Sequence, residues 1–379
     1  MLPRTPPAFP PPIVPRAYQC RCERPVFFPN SQCLACSTPL GYCPLRRDLL
    51  PLEPVPGRDG LWRRYGQAKG GMTWRRCPNF EGAPACNWLV PEADGEGTLC
   101  RCCRLTRTLP DVSDADNATY VLRLSLAQRR LVSQLIGLEL PVQSKVSEDP
   151  EHGLAFDLLR APPGGPPVTT GHADGIITID VEEADDARRE QRRTDLHEPY
   201  RTLLGHLRHE SGHYYWQRLV EPDEAWLEAY RAAFGDERAD YGKALKTYYA
   251  NGAPADWNTR HISAYASSHP WEDWAETWAH YLHLRDTLDT ARSFGLDGSL
   301  VQLEYEPFGA DALEGDDQAF LTLVNAWMEL TGVLNELSRS MGVADFYPFV
   351  LSIPALRKLH LVHRIATAAP QAPPPSPPP

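Results

Sequence analysis

What the chain lacks narrows it first. Nowhere in its 379 residues is there a run near the 18 or so consecutive apolar positions a membrane-spanning helix needs, so an integral membrane protein is not expected. The N-terminal stretch interrupts every short apolar segment with proline and has no continuous signal-like core, so a cytoplasmic, reducing location is expected. Cysteine is missing from the last 276 residues, and all ten cysteines lie between Cys20 and Cys103. Positive charge is short over the same region. Residues 111–379 carry 23 Lys and Arg against 41 Asp and Glu, a balance of −18, whereas residues 1–110 carry 15 against 8, a balance of +7. Proline is abundant, but 7 of the 38 fall in residues 1–15 and 7 in residues 370–379. Residues 1–17 and 368–379 therefore read as disordered, polyproline-like tails. No internal repeat is visible.

Grouped cysteines in a reducing compartment are more often metal ligands than disulfides. Cys20 and Cys22 precede the pair Cys33 and Cys36, while Cys77 and Cys86 precede the pair Cys100 and Cys103. Each group offers four thiolates, the number a closed tetrahedral zinc site takes. Two structural sites are expected in a module of residues 18–110, with Cys43 and Cys102 left over. Glu23 and Ser37 stand where ribbon knuckles often carry glycine. The module has few apolar positions, so metal is expected to supply much of its folding energy, with Phe27, Phe28, Trp62, Trp74 and Trp88 covering the knuckles. Arg46, Arg47, Arg63, Arg64, Arg75 and Arg76 give it a basic surface. A docking face for the acidic remainder of the chain is the favoured reading of that surface, ahead of nucleic-acid binding.

Beyond the module the pattern is α+β and mostly helical. Leu124, Leu131, Leu135 and Leu138 recur at helical spacing and Ser125 with Gln128 fits a capping box, which reads as a connecting helix within residues 111–145. Ile176 to Asp180 reads as an edge strand, either ordinary or available to pair with an extended substrate. The charged stretch Glu182 to Arg193 reads as a solvated helix. Further helices are expected near 200–219, 224–234, 237–250, 271–288, 317–340 and 354–366, in a domain of residues 146–367.

The sharpest signal is His209-Glu210-Ser211-Gly212-His213. Inside a helix, two histidines at i and i+4 leave one face close enough to share a metal, and the intervening glutamate can address the metal's open side. A catalytic zinc takes a third protein ligand and keeps one position for water. Glu272 and Glu276 share a face of the helix that Pro270 opens, so one can bind metal while the other holds a ligand imidazole. His172, His206, His269, Asp273 and His280 compete for the third place.

The runs RTLLGHLRHESGHYYWQRLV, SAYASSHPWEDWAETWAHYLH and GHADGIITIDVEEADDARRE, with the front cysteines, strongly resemble a bacterial family of zinc-binding metallopeptidases that carry an N-terminal zinc ribbon. The arrangement is also similar to anthrax lethal factor, a zincin of the gluzincin type, in which a tyrosine lies seven residues before a glutamate ligand and another glutamate follows four residues after it. The resemblance implies a zincin-like domain with His209, His213 and Glu272 as ligands and Glu210 as general base. It further implies Tyr265 as oxyanion donor and Glu276 as the residue behind a ligand. The cofactor implied is Zn(II), one catalytic and one or two structural, and the partner a peptide or protein substrate, with no membrane. The alternatives are a zinc-ribbon adaptor whose peptidase-like domain binds without turnover, and a zinc hydrolase of a non-peptide bond.

Overall fold

The computed structural model describes residues 12–68, 70–189, 202–296, 301 and 305–368. Two compact units emerge among the described residues, one of residues 14–189 with 202–207, the other of residues 12–13 with 208–368.

The first unit opens with a two-stranded ribbon, β1 (Tyr18–Gln19) and β2 (Pro25–Val26), and a five-stranded antiparallel meander. The meander runs β3 (Leu40–Cys43), β4 (Asp48–Pro54), β5 (Trp62–Arg64), β6 (Trp74–Arg76) and β7 (Leu89–Pro91), each strand paired with the next. Its inward face packs Cys43, Leu50, Leu52, Trp74 and Leu89 into a core, with Trp62 against it. The expectation of a module too poor in apolar residues for its own core is therefore corrected. Short strands place alternate residues on one face, and a few large side chains fill it. Trp74 is fully buried in that core and Trp88 is fully buried as well, whereas Phe27 is half-exposed.

The helix α1 (Ala115–Gly137) starts nine residues before Leu124. Its cap is Asp114, whose carboxylate accepts from the backbone N–H groups of Asp116 (2.9 Å) and Asn117 (3.0 Å). Ser125, expected at the cap, is a buried mid-helix residue. Expected as a connector, α1 is packed into the unit: the Arg129 guanidinium donates to the Pro84 carbonyl (2.8 Å) and the Gln128 amide to Thr106 Oγ1 (3.1 Å). Residues 12–17, expected as tail, include the fully buried Val14 and Arg16, which donates to Ser133 Oγ (2.9 Å). Residues 1–11 and 369–379 lie outside the described residues, as do residues 190–193 of the expected charged helix.

A second sheet has the order β10 (Gly171–Ala173), β11 (Ile176–Asp180), β9 (Ala155–Leu159), β8 (Thr106–Thr108). β11 is thus an interior strand, antiparallel to β10 and parallel to β9, which overturns its reading as an edge. The hairpin turn at Asp174-Gly175, with both residues at positive φ, folds β10 over the side that would have been open.

The second unit is helical. α2 (Leu203–Tyr215), part of this unit from Arg208 onward, continues into one π-turn over Trp216–Val220, and α3 (Glu224–Phe234), α4 (Tyr241–Asn251), α5 (Pro270–Ser293), α6 (Gln318–Ser340) and α7 (Ile353–Ala368) follow. Pro270 occupies the first turn of α5, where its missing N–H costs nothing, and His269 caps it by accepting from the Trp271 N–H (3.1 Å). α5 buries residues on all its faces, which makes it the central helix of this unit. No helix among the described residues is long and apolar enough to cross a membrane.

Candidate metal centres

The eight expected cysteines gather as two groups of four, Cys20, Cys22, Cys33, Cys36 and Cys77, Cys86, Cys100, Cys103, with the sulfurs of each group within 4.8 Å of one another. Four thiolates about 2.3 Å from a tetrahedral zinc stand about 3.8 Å apart. The Cys20–Cys36, Cys22–Cys33 and Cys86–Cys100 sulfur pairs are 3.6, 3.8 and 3.6 Å apart, far beyond disulfide length and near that spacing. Both groups therefore fit zinc.

The knuckle turns reverse through Glu23 (φ 64°) and Ser37 (φ 57°), so the backbone takes the left-handed form without glycine. That conformation costs non-glycine residues about 1–2 kcal/mol each. It lets the Glu23 N–H reach the Cys20 carbonyl (2.9 Å) and the Ser37 N–H the Cys33 carbonyl (2.8 Å). The Thr38 hydroxyl, 3.1 Å from Cys36 Sγ, together with the Thr38 N–H holds the Cys36 thiol down to about 6, favouring the ligating thiolate. Cys43 and Cys102 lie outside both groups, and burial pushes both thiols up. The basic surface is partly used internally, because Arg47, Arg63 and Arg75 pair with Glu139, Glu53 and Glu96 while Arg76 lies over Trp62 and Phe80.

The third group is His209, His213 and Glu272, again with ligand atoms within 4.8 Å. α2 supplies both imidazoles one turn apart, and Glu272 reaches them from the first turn of α5. His209 Nε2 stands 3.0 Å from Glu272 Oε2, and His213 Nε2 stands 3.6 Å from Oε1. Donors about 2.0–2.1 Å from a tetrahedral zinc are about 3.4 Å apart, so the triangle fits that ion. Burial disfavours the Glu272 carboxylate, but the charge of His213 and the His209 contact outweigh it and hold the group well below the usual range.

Behind the triangle, the His209 Nδ1–H donates to Glu276 Oε1 (2.7 Å), and Ser263 Oγ donates to Glu276 Oε2 (2.6 Å). That bond puts the proton on Nδ1 and turns Nε2 toward Glu272. Burial opposes a charged His209, yet Glu272 and Glu276 raise its pKa well above the usual value.

Close helix approach makes the triangle possible. A Cβ on Gly212 would lie 2.9 Å from Ala275 Cα and 3.2 Å from Trp278 Cβ, so only glycine permits this crossing. Trp274 Nε1 donates to the Gly212 carbonyl (2.8 Å), Trp278 Nε1 donates to Ser211 Oγ (3.2 Å), and Trp278 stacks on Tyr215.

The other histidines and Asp273 are engaged elsewhere. His206 meets Glu183, His172 Nε2 accepts from the Gly175 N–H, and His269 caps α5 while its Nε2–H donates to the Ala239 carbonyl. His280 pairs with the Tyr347 hydroxyl (2.6 Å), and Asp273 with Lys358 and His261. Glu210, next to His209 in the sequence and three positions before His213, is buried. The Tyr265 ring lies 6.0 Å from the His209 ring, centroid to centroid.

Three residues of this site escaped the sequence. Ser263 lies 13 positions before its partner and Tyr241 31 positions before Glu272, to which its hydroxyl donates (2.7 Å); no spacing rule links either pair. Trp271, packed 4.1 Å from the His213 ring, adjoins the expected residues but reads as an ordinary aromatic.

Residues 117–365 match the model of the family described as "Putative zinc-binding metallo-peptidase", and residues 17–114 match a zinc-ribbon domain. Uncharacterized proteins of Mycobacterium bovis and of two Mycobacterium tuberculosis strains are each 40% identical to the chain over 351 residues, spanning 92% of it and 95% of the relative. No solved structure matches.

Proposed function

The chain belongs to the zinc-binding metallopeptidase family, and from that premise we propose that it hydrolyses peptide bonds at the centre formed by His209, His213 and Glu272, with Glu210 as general base. The observation that carries this reading is the convergence of three ligand atoms from two helices around the one motif that also offers a buried carboxylate. Zinc held there supplies Lewis acidity to a scissile carbonyl and acidifies water toward a pKa of about 7.

The protein's own groups do the rest. Glu276 holds His209 in the tautomer that ligates through Nε2. Glu210 takes a proton from the attacking water and returns it to the nitrogen of the leaving amine as the C–N bond breaks. Burial and the charge of Glu272 keep the Tyr265 phenol protonated, so it can donate a hydrogen bond to the developing oxyanion. The two cysteine groups each hold a structural zinc, giving three zinc ions per chain. Peptides or proteins are the substrate.

The test is the Glu210→Gln protein assayed on a diverse peptide library with and without chelator. Three zinc ions per chain and no cleavage are expected; cleavage at the wild-type rate would reject Glu210 as base. A wild-type protein that binds library peptides but cleaves none would favour the adaptor. Tyr265→Phe is expected to lower kcat with zinc retained.

A further inference from the structure

The hydrogen bond from Tyr241 to Glu272 joins the triangle to a residue 31 positions away that belongs to neither ligand helix. Glu272 is almost fully buried, and its two oxygens face the two imidazoles, Oε2 toward His209 and Oε1 toward His213. The terminal torsion of a glutamate is soft and roughly two-fold, so burial alone does not fix which way the two lone-pair fans point. Tyr241 Oη, 2.7 Å from Oε1, supplies the missing constraint.

The phenol is itself held in place. Tyr241 is the first residue of α4, whose cap Asp240 accepts from the Lys243 N–H (2.9 Å), and its ring packs edge-on to His269 (5.2 Å) and Trp271 (5.9 Å). Both neighbours belong to the start of α5, so the tyrosine is referenced to the turn that carries Glu272. A carboxylate oxygen only accepts, so the phenol is the donor of this bond.

We propose that Tyr241 is a positioning residue that orients the Glu272 carboxylate for metal binding, the counterpart for Glu272 of what Glu276 is for His209. This rests on the reading of Glu272 as a zinc ligand. Partners of metal ligands typically contribute 10–100-fold in metal affinity, and that is the scale expected here.

The experiment is a double-mutant cycle on the full-length chain: wild type, Tyr241→Phe, Glu272→Gln and the pair. The dissociation constant of the most weakly held zinc is read by competition with a fluorescent chelator, while the cysteine-bound zinc serves as internal control. Tyr241→Phe is expected to weaken that zinc by about 10–100-fold, and to change it by no more than about twofold when Glu272 is already Gln. The thermal midpoint of the chelated protein should fall by no more than a few degrees, because a single hydrogen bond to the Glu272 carboxylate is removed. Wild-type affinity in Tyr241→Phe overturns the proposal, and so does an equal loss in both backgrounds, which marks a general structural effect. Wild-type affinity in Glu272→Gln overturns the ligand assignment beneath it, a distinct result.

Discussion

Replacing Gly212 by alanine separates two effects of opposite sign. Alanine is the better helix former by about 1 kcal/mol, so an isolated α2 would gain. In the folded protein the new Cβ would stand 2.9 Å from Ala275 Cα, against an ordinary carbon–carbon separation of about 3.5–4.0 Å. The obstacle is backbone on a helix buried on all faces, so it cannot turn aside as a long side chain would. The helices must part locally by about 0.6–1 Å, or the residue must strain, and such overpacking costs about 1–3 kcal/mol. Net stability should therefore fall by no more than about 2 kcal/mol. Zinc binding should suffer more, because α2 and α5 each supply part of the triangle and metal–ligand distances tolerate only about 0.2 Å. The assay is paired: urea unfolding of the chelated protein, and chelator competition for the weakest zinc. The expected signature is a small loss of stability beside at least tenfold weaker zinc, with cysteine-bound zinc unaffected. Wild-type zinc affinity in Gly212→Ala would refute the argument that this contact sets the ligand spacing.

Three further outcomes are expected. Glu276→Gln keeps the shape of the side chain but weakens its bond to His209, and zinc at the triangle should bind about 10–100-fold more weakly by the same competition assay. Lys358→Met removes the ammonium paired with the buried Asp273 carboxylate; breaking such a pair costs about 3–5 kcal/mol, and tryptophan-monitored unfolding should show a loss of about 3 kcal/mol. Cys100→Ser removes a fully buried ligand from the second cysteine group, so mass spectrometry under native conditions should count one zinc fewer while the triangle keeps its own. Retention of all zinc would exclude Cys100 from a site.

Legibility followed the range of the interactions. α3 and α6 appear where the residue pattern puts them, because caps such as Asp223 and Asp317 and the 3.6-residue period are local. The start of α1 was missed for a local reason as well: Asp114 is a better cap than the box at Ser125, but the leucine period begins later. The sequence of β11 reads as an edge because it is the same in kind whether or not a neighbour covers it; the covering by β10 is visible only in the folded chain. The ribbon core was underestimated because its apolar residues are spread over five short strands.

By itself the sequence determined the donor chemistry: thiolates in one third of the chain, two imidazoles one helical turn apart and, on a later helix, two carboxylates one turn apart in the rest, and the grouping of cysteines into fours. Those follow from residue type and short spacing, which the chain geometry of a turn converts directly into direction. Only the tertiary structure decided which carboxylate joins His209 and His213, which residues stand behind the ligands, and why Gly212 sits between them. Each of those depends on two segments crossing at a fixed distance. A crossing is set by the packing of side chains far apart in sequence, such as Tyr215 on Trp278 and Gly212 against Ala275.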